Sequence, residues 1–109
     1  MAEISDYILV LTTIDDRTKA EELATAVVHA RLAACVQLSS PIQSVYHWNA
    51  VIEKSTEIQI WMKTQGDLYP KLEKFIQNFH SYEVPEIIAI PIIAGLPNYL
   101  TWVQNETLA

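Results

Sequence analysis

His80 is the residue of this chain best suited to chemistry, because an imidazole can ligate a divalent metal or donate to an anion. Glu83 and Glu86 follow it closely and could share such a site. Cys35 adds a soft thiol suited to Cu(I) or zinc. His80, Glu83 and Cys35 are therefore the candidate metal ligands. Each also has a plainer reading. Free cysteine is among the most buried residue types, so Cys35 reads as a small core hydrophobe. No Cys-x-x-Cys or His-x-x-x-His spacing is present to close a metal site locally. His80 reads alternatively as a helix end, where positive charge is favourable. His29 and His47 read as solvated or structural.

A second group could form a ligand-binding cleft: Lys63, Tyr82, Glu86, Trp48 and Trp102. Acidic groups beside a lysine mark either a functional site or an ion pair that fixes the register of an interface. Trp and Tyr are enriched as interface anchors, the role expected of Tyr46, Trp48 and Trp61. Catalysis has little support. No Ser-His-Asp or Cys-His arrangement is legible, and Gly66 and Gly95 cannot build a phosphate loop. Glu83 and Glu86 flank Pro85, but nothing supplies a nucleophile. The expectation is a protein that is not an enzyme.

These side chains must be positioned by a small set of elements. Tyr7 to Thr13 is a continuous β-favouring run, short enough for a buried strand. Asp15-Asp16 marks a loop, and Thr18 with Glu21 has the form of a capping box. Ala20, Leu23, Ala24, Val27 and Val28 then make one helical stripe, ending near Arg31. A long extended stretch runs from Ala34 to Trp48, bent at Pro41, with a turn at Asn49-Ala50. The return strand places Ile58, Ile60 and Met62 on one face and Glu57, Gln59, Trp61 and Lys63 on the other. A second helix carries Leu68, Leu72, Phe75, Ile76 and Phe79, with Pro70 in its first turn. Pro91 demotes the run from Glu86 to Ala94 to an edge strand or a bulged one, and Leu96-Pro97-Asn98 opens a short terminal helix. This order is an α+β, ferredoxin-like βαββαβ arrangement with an antiparallel sheet and a long hairpin.

Composition sets the outer limits. A chain of 109 residues suits one domain, spanning residues 1–109, with enough length for a core. Only 18% of residues are charged and the net charge is −6, with no Lys/Arg cluster, so nucleic acid is not an expected partner. A single cysteine forms no internal disulfide. Met1 to Asp6 lacks the basic region of a signal peptide, and the apolar run Ile87 to Leu96 is too short for a membrane helix. A cytoplasmic setting without membrane contact is expected. The hairpin should overhang its domain and expose Tyr46, Trp48 and Trp61, which identical subunits would most simply cover.

Several blocks resemble the CutA divalent-cation tolerance family. They are Leu32-Ala33-Ala34-Cys35-Val36, Tyr46-His47-Trp48, Lys63-Thr64, the segment His80 to Ile87, and Tyr99-Leu100-Thr101-Trp102. The resemblance runs from about Tyr7 to Trp102. It implies a cytoplasmic homotrimer linked to tolerance of copper and other divalent metals, with no established reaction. The first functional reading is a metal-homeostasis protein that binds copper or another divalent metal weakly near inter-subunit clefts. This chain departs from the family at the turn, Asn49-Ala50, and at Gln37. The family's proposed metal ligands, a first-strand Cys and a His pair, match Thr12 and Phe79-His80 here. One of the three is retained. By analogy of fold, the alternative is a PII-like regulatory trimer that senses a small anionic ligand. A third reading is a purely structural interaction protein.

Overall fold

A computed structural model describes residues 6–108. Met1 to Ser5, part of the stretch read above for a signal peptide, lie outside the described residues. The elements are β1 (Tyr7–Ile14), α1 (Arg17–His29), β2 (Cys35–Leu38), β3 (Ile42–Trp48), β4 (Val51–Gln65), a short 3-10 turn (Gly66–Leu68), α2 (Tyr69–Phe79), β5 (Ile87–Pro91) and α3 (Pro97–Asn105). The main sheet has the order β2-β4-β1-β5, and every pairing is antiparallel. This is the ferredoxin-like arrangement, with β3 extending the hairpin beyond the sheet.

One face of the sheet is dry because alternate residues of β1 and β4 are apolar and point the same way. Ile8, Val10 and Ile14 lie with Ile58, Ile60 and Met62 under Leu23 and Val27 of α1 and Leu72 and Ile76 of α2. Thr12 sits on the same face with its side chain fully buried, and its Oγ1 is the one enclosed side-chain polar atom without a partner among the described residues. The other face is only partly covered in the single chain. Ile88 and Ile90 of edge strand β5 are well exposed there.

Three local features differ from the sequence reading. Asp16, rather than Thr18, caps α1: its extended backbone lets the side chain accept the Lys19 N–H at 2.9 Å. The helix closes at His29, and Arg31 lies beyond it with φ of 58°. Finally, the extended arm from Ala34 to Trp48 is two strands.

The break between β2 and β3 changes which side chains face the site. Leu38 pairs with Ile60, but Ile42 pairs with Glu57, so four residues on one strand advance against three on the other. This is a bulge at Ser39-Ser40-Pro41, where Pro41 has no N–H to give the ladder. Ser39 repairs it: its N–H donates to the Gln59 carbonyl at 3.0 Å, and its Oγ accepts the Gln59 N–H at 2.9 Å. A one-residue offset turns a strand over. Ile42, Ser44, Tyr46 and Trp48 are therefore paired with Glu57, Ser55, Glu53 and Val51, on the side away from the core residues of β4.

At the hairpin tip Asn49 and Ala50 both have positive φ, 51° and 63°, between the paired Trp48 and Val51. That is the two-residue turn whose hand matches strand twist. Ala is poorly suited to the second position, since its Cβ crowds the backbone there. Ala50→Gly should raise unfolding free energy by about 0.5–1 kcal/mol. Denaturant titration checks this, and an unchanged or lower midpoint would count against strain at Ala50.

Candidate functional site

A cavity of about 870 Å³ opens between the β3–β4 hairpin and the linker between α2 and β5. Ser44, Tyr46 and Trp48 line it from β3, and Glu53, Ser55 and Glu57 from β4. Tyr82, Glu83, Pro85 and Glu86 close it from the linker, with Thr13 and Asp15 at the end of β1. The β2–β3 bulge is what aims the β3 residues here. Among the described residues five acidic side chains line this space, and no Lys, Arg or His does.

The linker is held by a chain of polar contacts that starts at His80. His80 follows the last turn of α2, its N–H donating to the Ile76 carbonyl at 2.9 Å, and the residue is 9% exposed. Its Nδ1 accepts the Tyr82 backbone N–H at 3.1 Å. Nε2 therefore carries the proton and donates to the Thr13 carbonyl at 2.6 Å. Both ring nitrogens are engaged within the chain. The Tyr82 ring packs on the imidazole, centroids 4.5 Å apart, and its hydroxyl donates to Glu57 Oε2 at 2.8 Å. Burial, followed by that bond to Glu57, pushes the Tyr82 phenol well above its ordinary value.

Glu57 is the residue that sequence reasoning missed. Alternation placed it on the polar face of its strand, yet it is 6% exposed. It is buried because the linker folds over the sheet from elsewhere in the sequence. Its one local signal was an acid immediately before the apolar positions Ile58 and Ile60.

The other candidate residues do not gather here within one chain. Cys35 opens β2 opposite Lys63, six residues along β4 from Glu57, about 20 Å at ~3.3 Å per residue. Lys63 Nζ donates to Gln37 Oε1 at 2.8 Å and lies 5.7 Å from the centre of the Tyr99 ring. Trp102 borders a separate hollow of about 350 Å³ with His29, Arg31 and Glu106. Trp61 is half-buried, paired with Leu11 and Gln37. So Tyr82, Glu83, Glu86, Trp48 and Tyr46 share the cleft, while Cys35, Lys63 and Trp102 lie outside its lining. Among the described residues no three His, Cys, Asp or Glu side chains are placed to hold a metal ion. The donors of a single chain do not fit a closed metal centre.

Comparison with known proteins agrees with this fold. A mouse protein named CutA is 45% identical over 95 residues, covering 87% of this chain and 54% of that protein. The chain thus spans about half the length of the mouse and human relatives it matches. The crystal structure of CutA1 from Shewanella sp. SIB1 superposes with a TM-score of 0.95 at 38% identity, covering 98% of this chain and 100% of that one. The divalent cation tolerance protein of Thermus thermophilus gives 0.90 at 36% identity, covering 93% and 98%. Other relatives are named for the chloroplast of Arabidopsis thaliana and the periplasm of Archaeoglobus fulgidus. No helix among the described residues is long and apolar enough to cross a membrane. The pattern of the CutA1 divalent ion tolerance proteins matches residues 8–106, and the chain belongs to that family.

Proposed function

We propose that this protein serves divalent-cation tolerance as a homotrimer that binds divalent metal weakly at its acidic clefts, without catalysing a reaction. The observation that carries this reading is the lining of the cleft: Asp15, Glu53, Glu57, Glu83 and Glu86, with no basic side chain among the described residues. Oxygen donors on an open surface suit labile capture of a cation, with one or two carboxylates and water completing its shell. The same lining disfavours the alternative of a small anionic ligand at this place. Copper, with its preference for nitrogen and sulfur, would be held less tightly here than at a site built on Cys35. The unpaired Cys35 supports a reducing, cytoplasmic setting.

Self-association is supported by apolar surface that the single chain leaves bare. Val45, Tyr46, Trp48, Val51 and Ile52 of the hairpin are each at least 40% exposed. Tyr46, Trp48 and Val51 share one face of the hairpin and Val45 and Ile52 the other, so both faces offer apolar surface for a neighbouring subunit to cover.

Tryptophan fluorescence tests the metal reading, because Trp48 borders the cleft. Titrated Cu²⁺ or Zn²⁺ should quench saturably, with dissociation constants of roughly 10⁻⁵ to 10⁻³ M. Glu53→Gln combined with Glu86→Gln should weaken binding severalfold. Quenching that never saturates, or that ignores these substitutions, would overturn it.

A further inference from the structure

The segment from Ser81 to Glu86 crosses from α2 to β5, and both of its ends are fixed. His80 gives its N–H to the Ile76 carbonyl, and Ile87 pairs with Thr12 in the sheet. Between them, among the described residues, Tyr82 makes every hydrogen bond of the segment. Its N–H donates to His80 Nδ1 at 3.1 Å and its hydroxyl to Glu57 Oε2 at 2.8 Å. Only Tyr82 and Pro85 are half-buried, and the other four residues are exposed. A segment with so few buried contacts and hydrogen bonds opens locally, well before the fold as a whole.

The contacts of Tyr82 act together. The imidazole that accepts its N–H is itself pinned, since Nε2 donates to the Thr13 carbonyl at 2.6 Å. The Tyr82 ring lies against that imidazole, centroids 4.5 Å apart. Lifting Tyr82 breaks both bonds and the ring contact in one step, while α2 and the sheet keep theirs. Closure also has a cost. Glu57 is the one buried acid among the described residues, and neither of their ion pairs, Arg17–Glu21 and Arg31–Glu106, involves it. A carboxyl group withdrawn from water without a counter-charge is poorly compensated, and opening returns it to water.

We propose that residues 81–86 form a strap with two states, closed with Tyr82 as its latch and open with Glu57 facing water. The strap moves as a unit while the rest of the fold stays intact, and so sets when Glu57 can be reached. It stands on these contacts alone and does not depend on the cleft binding a cation.

Hydrogen exchange of the full chain in sub-denaturing urea, read by NMR at single amides, is the test. The Tyr82 N–H should exchange at a rate that barely changes with urea, the mark of a small local opening. The N–H of Met62, fully buried in β4, should instead speed up steeply, as global unfolding does. Tyr82→Phe leaves the backbone N–H and its acceptor in place, yet should speed exchange at position 82 by roughly 30-fold. Tyr69→Phe is the control: it removes a similar bond, 2.6 Å to Glu73, outside the strap, and should leave position 82 unchanged. Exchange at position 82 that rises with urea in step with Met62 overturns the proposal. So does a Tyr82→Phe variant without effect there, or an equal acceleration by Tyr69→Phe.

Discussion

Tyr82→Phe should lower the stability of the protein by about 2 kcal/mol at neutral pH, because the substitution strips a buried acid of its hydrogen bond. Glu57 Oε2 has the Tyr82 hydroxyl as its donor at 2.8 Å, and phenylalanine keeps the ring against His80 while removing only that oxygen. Cavity formation is therefore minor, and the loss comes from an unsatisfied polar group. Pairing the change with Glu57→Gln should recover part of the loss, since a neutral amide costs less to leave unpaired than a carboxylate. Thermal melts at fixed protomer concentration are the measurement. At roughly 4–8 °C per kcal/mol for a domain of this length, the single variant should melt about 10 °C lower.

The same bond has a pH signature. The Tyr82 phenol lies above its ordinary value, first through burial and then through its bond to Glu57. A native value raised above the unfolded value means that the folded state holds the proton more tightly. The stabilisation is then fully present below pH 10, the unfolded value, and fades as pH rises through the higher native one. Tyr69 behaves alike: burial and its bond to Glu73 push its phenol up to about 12, so its contribution fades between pH 10 and about 12. The wild-type protein should lose stability more steeply above pH 10 than Tyr82→Phe does. Parallel curves through that range would show that the hydroxyl contributes nothing there. A Tyr82→Phe melt equal to wild type at pH 7 would remove the bond from the account altogether.

How much of this was legible beforehand depends on the range over which each feature is encoded. The dry face of the sheet was open to reading because Ile58, Ile60 and Met62 carry a period of two within one strand. The stripe of α2 was equally local, and Leu72 and Ile76 are fully buried as their spacing requires. The cap of α1 was misread because Asp16 and Thr18 are both capping residues two positions apart. The choice belongs to the backbone leaving β1, which is extended at Asp16. The facing of the hairpin was beyond alternation alone. Ser39-Ser40-Pro41 interrupts the pattern, and whether the pause adds one residue or none decides which side of the sheet Tyr46 and Trp48 occupy. The cleft depends on both long-range events, the bulge and the closure of the linker over Glu57. Its acids at Glu83 and Glu86 were picked out from their neighbours in sequence, whereas Glu57 gained its importance only from Tyr82, 25 positions away.

The larger expected effect lies at the hairpin tip. Val51→Glu with Ile52→Lys should turn the proposed trimer into a monomer while leaving the subunit folded. In the single chain Val51 is 56% and Ile52 is 62% exposed, so charging them costs a lone subunit little, within about 0.5 kcal/mol. The two residues belong to opposite faces of the strand, because successive side chains alternate. Whichever face a neighbour covers, one charge is trapped against it, at several kcal/mol for each desolvated group. Three copies of the change act together in a trimer. Light scattering at micromolar concentration should then give one-third of the wild-type mass, with circular dichroism nearly unchanged. The melting temperature should also fall and lose its dependence on protein concentration, as mass action requires once association is gone. A wild-type mass of a single subunit would end the trimer proposal outright. A variant that keeps the wild-type mass would show that the tip is not part of the interface and leave its apolar side chains unexplained by assembly. The outcome bears on the cleft too, because Tyr46 and Trp48 stand on the same hairpin and line it. If covering the tip also narrows the cleft, the monomeric variant should release a bound cation faster than the wild type, which stopped-flow fluorescence of Trp48 can follow.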